Sequence, residues 1–192
     1  DGLMGVADTA STGVVTPDEL EGRPRRRPAD ALESIPGVVV SQHSGEGKAN
    51  QYYLRGFNLD HGTDVAISVA GMPVNLPTHG HGQGYADLNF LIPELITGIQ
   101  YQKGPYAADA GDFGAAGQIR LTYANVLERP LVRLEGGSFG HGRALAAVSP
   151  RLGAGQLLVA GESATSDGPW ARPDALRKWN GLVRYSRGTA TQ

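Results

Sequence analysis

DLNFLIPELITGIQYQKGPYAADAGDFGAAGQIRLTY, running from Asp87 to Tyr123, is the stretch on which the fold turns. Pro93 to Ile96 has room for one helical turn. Thr97 to Lys103 then reads as a strand with Ile99 and Tyr101 on one side, and Gly104-Pro105 breaks it. Tyr106 to Gly117 is mostly Ala, Gly and Asp, which punctuates rather than builds a strand. From Gln118 to Tyr123 a strand resumes, with Ile119, Leu121 and Tyr123 aligned. Strand pairs beside short helical turns predict a small α+β domain.

Upstream, the pattern continues. Asp64 to Gly71 alternates, with Val65, Ile67 and Val69 on one face and the small Ala66, Ser68 and Ala70 on the other. Gln51 to Gly56 puts Tyr52 and Leu54 on one face, Tyr53 and Arg55 on the opposite one. A polar loop, Ser41 to Asn50, carries His43, Glu46 and Lys48, and Val38 to Val40 reads as a short buried strand. Pro28 to Ile35 predicts two helical turns: Pro28 suits the first position, Asp30 and Glu33 lie near the N-terminus, and Pro36-Gly37 stops it. Before that, Arg23 to Arg27 reads as a solvated basic linker and Asp1 to Thr16 as a mobile arm. Within the arm, Thr12-Gly13-Val14-Val15-Thr16 is β-prone and suited to pair with the sheet edge of another chain.

Leu76 to Leu88, LPTHGHGQGYADL, lies between two predicted strands. So much glycine forbids a stable helix, and His79, His81, Gln83 and Tyr85 crowd its tip. A sheet holding up a polar loop is a common way to build a binding site. The two histidines of the HGH triplet are also candidate metal ligands, because imidazole suits zinc, copper, iron or nickel.

From Glu128 to Gln192 the composition changes. Pro130 to Glu135, Arg143 to Ser149, Gln156 to Ala164 and Lys178 to Arg187 read as period-two strands. Val132 and Leu134, Leu145 and Ala147, Leu157 and Val159, and Leu182 are their apolar positions. Consecutive amphipathic hairpins fit a transmembrane barrel wall and a soluble antiparallel sheet equally well. Across the 192 residues a net charge of −2 gives no steering toward nucleic acid. Glycine, at 28 residues, points to many tight turns, and with no cysteine there are neither disulfides nor thiolate metal sites. No window approaches about eighteen apolar residues, so a membrane role must come through strands.

DALESIPGVVV, YYLRGF, VAGMPVN, DLNFLIPELITGIQYQKGP and GDFGAAGQIRLTY together resemble the plug domain of TonB-dependent outer-membrane receptors. The resemblance covers about Ala29 to Tyr123. It implies an arm or linker over residues 1–27, a plug over 28–124 and the first strands of an incomplete outer-membrane barrel over 128–192. In that family the plug sits inside a barrel of roughly 22 strands. The resemblance further implies a location in the Gram-negative outer membrane with a periplasmic arm, and uptake of a scarce solute such as a siderophore, metal chelate or vitamin. TonB, an inner-membrane energy-coupling protein, would pull on the arm, with Thr12 to Thr16 the candidate TonB box. Outer-membrane lipid and a small-molecule or chelated-metal ligand are the other partners, with no nucleic acid and no cofactor. Arg55 and Lys103 become cations locking plug to barrel wall, and His79, His81, Gln83 and Tyr85 become solute contacts. Ala70 stands where the family usually shows Asp.

Two other classes stay open on the residues themselves: a secreted β-rich binding module and a His-based metal-binding protein. A metal-dependent hydrolase would need Asp and His where Gln83 and Gly84 stand, and GxSxG and P-loop motifs are absent. No enzyme activity is expected. Four strands cannot close a barrel, because an open edge in hydrocarbon leaves backbone groups unpaired; the chain is expected to be the N-terminal piece of a longer protein.

Overall fold

The computed structural model describes residues 9–23 and 27–188. The first half of the predicted arm (residues 1–8) and the centre of the basic linker (24–26) lie outside them. The chain divides into two compact units, one of residues up to 44 with 48–123, the other of 45–47 with 124–192.

The first unit is built on a mixed five-stranded sheet. Its strands are β1 (Thr12–Val15), β5 (Val65–Val69), β6 (Met72–Pro73), β7 (Ile96–Lys103) and β8 (Gly117–Tyr123), in the order β1-β7-β8-β5-β6. β5 and β8 run parallel; the other neighbours are antiparallel. A second sheet holds β2 (Val38–Ser41), β3 (Gln51–Leu54) and β4 (Phe57–Asn58). Val65, Ile67 and Val69 are buried, as the alternation requires, and so are Ile99, Ile119, Leu121, Leu91 and Leu95. Gly117 is needed where it stands: a Cβ there would collide with the Gln102 carbonyl oxygen.

Three expectations are corrected here. Thr12 to Thr16 is part of the folded unit rather than of a mobile arm, because β1 pairs with β7 from Thr12–Gln102 to Val15–Ile99 and Val15 is buried. The following residues form a helix that the alternation did not disclose, α1 (Pro17–Glu21). A capping box nucleates it: the Thr16 N–H donates to Glu19 Oε2 at 2.9 Å and the Glu19 N–H to Thr16 Oγ1 at 3.5 Å. Leu20 then inserts into the core. The two helical turns predicted over Pro28 to Ile35 are a single 3-10 stretch, Pro28–Ser34. Finally, Arg55 is not on a strand. With Gly56 it forms a two-residue hairpin turn between β3 and β4, and the φ values of +53° and +82° are those a type I′ turn demands.

The second unit is an antiparallel sheet of β9 (Leu131–Gly136), β10 (Gly142–Val148), β11 (Arg151–Leu152), β12 (Gly155–Ser166) and β13 (Leu176–Ser186). Its register sorts the side chains into two unlike faces. Val132, Leu134, Val148, Trp179, Val183 and Tyr185 are all exposed and share one face. On the opposite face lies an ionic network. Arg143 Nη1 donates to Glu135 Oε1 at 2.9 Å, and its Nε and Nη2 reach Glu162. Lys178 Nζ lies 2.8 Å from Glu162 Oε1, and Asn180 Nδ2 donates to the same oxygen at 3.1 Å. Leu145, Ala147 and Leu182 fall on the charged side, so the apolar positions predicted from sequence belong to both faces. An exposed apolar face backed by a hydrogen-bonded polar one is the alternation of a barrel wall. Among the described residues no helix is long and apolar enough to cross a membrane.

Candidate functional site

The predicted loop folds into a closed crest on the first unit. The Leu76 N–H donates to the Tyr85 carbonyl at 2.9 Å and the Gly84 N–H to the Leu76 carbonyl at 2.8 Å. That single bridge pinches the chain so that residues 77–84 stand out as one loop. Gly84 has φ +80°, and a Cβ there would strike the Phe113 ring and the backbone of Thr63. The base is pinned by Asn75, a residue whose role the sequence did not signal. Its Nδ2 lies 2.9 Å from each of the carbonyls of Gly62, Val65 and Gly84, and its Oδ1 accepts the Ile67 N–H at 2.7 Å. One buried carboxamide thereby joins β5, the turn before it and the end of the crest.

Aromatic rings converge beneath the crest. His79 stacks on Tyr85, centroids 4.0 Å apart and planes 11° apart. The His81 ring stands edge-on to His61 at 4.6 Å, and His43 lies 5.0 Å from His61 on another side. The Tyr85 hydroxyl accepts the Ala49 N–H at 3.2 Å, which ties the crest to the Ser41 to Asn50 loop. Of the four predicted contacts, His79, His81 and Tyr85 meet here, and Gln83 is exposed on the crest. His61, which sequence reasoning passed over, is the centre of the cluster and 1% exposed. The Ala86 N–H donates to its carbonyl at 2.7 Å. Its neighbour Asp60 sits at φ +49°, a conformation that Asp tolerates better than most residues. The one available signal was the Asp-His pair inside a turn-rich run, NLDHGTD.

The HGH pair does not act as a unit. His79 Nδ1 accepts the His81 N–H at 3.1 Å, which occupies that nitrogen. Among the described residues, the three groups whose ligand atoms lie within 4.8 Å of one another are Asp60, His61 and His81. Below them Tyr52 is fully buried and donates to the Ala86 carbonyl at 3.1 Å. Burial first, then the charge of Asp87 and the Tyr85 phenol, push its pKa far up, so Tyr52 remains a neutral donor.

Arg55 and Lys103 are brought together at a different place. Arg55 Nη2 donates to the Ala10 carbonyl at 3.3 Å and to Ser11 Oγ at 3.1 Å; Lys103 Nζ donates to the same Ala10 carbonyl at 3.3 Å. Arg55 is exposed, whereas Lys103 is 5% exposed. Desolvation, and secondarily the Arg55 charge, lower the Lys103 pKa.

The profile of the TonB-dependent receptor plug domain matches residues 6–118. The vitamin B12 transporter BtuB of Vibrio vulnificus is 30% identical over 131 residues, which is 67% of this chain and 20% of that protein. Among solved structures, the copper transporter OprC superposes with TM-score 0.67 at 24% identity, over 93% of this chain and 28% of its own. The siderophore receptor PirA from Pseudomonas aeruginosa gives TM-score 0.62 at 18% identity, over 96% of this chain and 34% of its own. The chain therefore spans about a third or less of each of these relatives, every one named as a transporter or receptor.

Proposed function

We propose that this chain, which belongs to the TonB-dependent receptor plug domain family, is the plug and first wall strands of an outer-membrane receptor that captures a scarce solute and admits it by energy-coupled movement of the plug. The observation that carries this reading is the crest: a loop pinned at its base by Asn75 that offers His79, His81, Gln83 and Tyr85 at one end of the plug sheet. Its relatives carry vitamin B12, copper and siderophores by name, so the site is read as solute-binding and not as bond-making. The exposed apolar face of β9 to β13 supports contact with outer-membrane lipid.

Coupling starts at the other cluster. β1 is the terminal strand of its sheet and, among the described residues, has one unpaired edge. TonB grips that edge at Thr12 to Thr16 by strand addition, and the pull is resisted by Arg55 and Lys103 through Ala10. Arg55, being exposed, is the cation that also pairs with a carboxylate of the barrel wall. No covalent chemistry is needed in such a cycle.

Accessibility in intact cells tests the orientation. The chain has no cysteine, so Gln83→Cys and Ser11→Cys, each in an otherwise cysteine-free full-length receptor, report one position each. A membrane-impermeant maleimide is expected to label position 83 from outside and position 11 after permeabilisation alone. Labelling of position 11 in intact cells overturns the reading.

A further inference from the structure

We propose that Asp60, His61 and His81 form a binding site for one divalent late transition-metal ion (zinc, copper or nickel), and that this ion is the captured solute. The second half rests on the receptor reading; the first does not.

The anchor is His61. Its Nδ1 lies 2.9 Å from the Asn50 carbonyl oxygen, an acceptor with no proton to give, so Nδ1 carries the hydrogen. In the neutral ring the lone pair is then on Nε2. That nitrogen is buried and, among the described residues, has no hydrogen-bond partner. An unpartnered buried polar atom in a native fold calls for an explanation. Asp60 Oδ1 stands 3.6 Å from it, too far for a hydrogen bond, with the edge of His81 on another side. A lone pair and a carboxylate oxygen facing each other repel unless a positive centre, a proton or a metal ion, lies between them. A carbonyl that fixes the ligating tautomer from behind is the usual support of a metal-bound histidine.

The spacing fits an ion with modest adjustment. Metal bonds of about 2.1 Å in tetrahedral geometry place ligand atoms about 3.4 Å apart, against the 4.8 Å limit within which all three lie. Asp60 is half-buried and His81 exposed, so both can close on the fixed His61. Two imidazoles and one carboxylate favour zinc, copper or nickel over magnesium or calcium. His43, its ring 5.0 Å from His61, is the nearest further imidazole for a fourth position.

The test is titration of the full-length receptor, purified without a polyhistidine tag, with Zn2+ by calorimetry and with Cu2+ by electron paramagnetic resonance. The proposal expects one tight site, weakened at least tenfold by His81→Ala and by Asp60→Asn. It also expects a nitrogen superhyperfine pattern that loses one imidazole in His81→Ala. His141→Ala, on the second unit, should leave both readouts unchanged. Because His61 is buried, the exposed His81 and half-buried Asp60 carry the test, and the secondary structure of each variant is checked by circular dichroism. No binding, or binding that both variants retain, overturns the site. Intact binding without TonB-dependent accumulation of the metal in cells keeps the site and rejects the metal as cargo.

Discussion

Arg55 and Lys103, 48 residues apart in sequence, donate to the same acceptor, the carbonyl oxygen of Ala10, each at 3.3 Å. Two cations on one carbonyl repel each other, and the Ala10 dipole together with Ser11 Oγ offsets that repulsion. The pair therefore holds the start of β1.

Lys103→Met should loosen β1. The Ala10 carbonyl then keeps the exposed Arg55 as its side-chain donor, so amide exchange at Gly13 to Val15 should quicken by roughly threefold or more. Arg55→Ala should do less, since its guanidinium is exposed. Equal exchange rates in all three proteins would remove the latch.

The same lysine sets a pH dependence. Its folded-state pKa is below the ordinary 10.5, so the unfolded chain binds its proton more tightly. Stability from this group thus rises with pH from the lowered folded value up to about 10.5. Tyr52, shifted up from 10.0, works against it at higher pH. Comparing wild type with Lys103→Met isolates the lysine: the variant should lose the rise, and parallel curves would contradict it.

Asn75→Ala removes four hydrogen bonds from a buried position. Carbonyls of Gly62, Val65 and Gly84 and the Ile67 N–H lose their partner together. A loss of about 2–4 kcal/mol in urea unfolding is expected, with faster exchange at Leu76 and Gly84. A change under about 0.5 kcal/mol would mean that water replaces the carboxamide.

Ala70 has φ +50° beside Gly71 at φ +83°, in the two-residue turn that joins Val69 to Met72. Alanine is strained there and asparagine or aspartate is not. Ala70→Asn should stabilise the plug by roughly 0.5–1 kcal/mol, read as a higher urea midpoint.

Glu162 is fully buried between Arg143, Lys178 and Asn180. Glu162→Gln leaves Lys178 facing a neutral group while Arg143 keeps Glu135, which should cost about 1–3 kcal/mol. In the full receptor the temperature at which the barrel unfolds on a gel should drop clearly. An unchanged temperature would place those cations in water.

The alternation of Val65, Ile67 and Val69 and of Ile119, Leu121 and Tyr123 was legible, because period-two burial is written residue by residue; in the four later strands the apolar face was not, since Leu145, Ala147 and Leu182 lie on the charged side. The Thr16-to-Glu19 capping box is equally local, but it adjoins the stronger strand signal of Thr12 to Val15. The crest could be placed from its glycines and prolines, and three of its predicted contacts do meet. What sequence did not disclose was their partner. His61 has no periodic neighbour to mark it as inward-facing, and its meeting with Asn50, Asp60 and His81 depends on how three separate loops come back to one point.

From the chain alone came most of the strands, their rough limits, the family resemblance and the polar crest, since all of these follow from neighbours a few residues apart. Tertiary structure decided that β5 lies parallel to β8, that β1 belongs to the sheet, that Arg55 turns back to Ala10, and which face of β10 and β13 is charged. Those are choices of partner across tens of residues, and they are settled by burial and hydrogen-bond pairing, which no local pattern encodes.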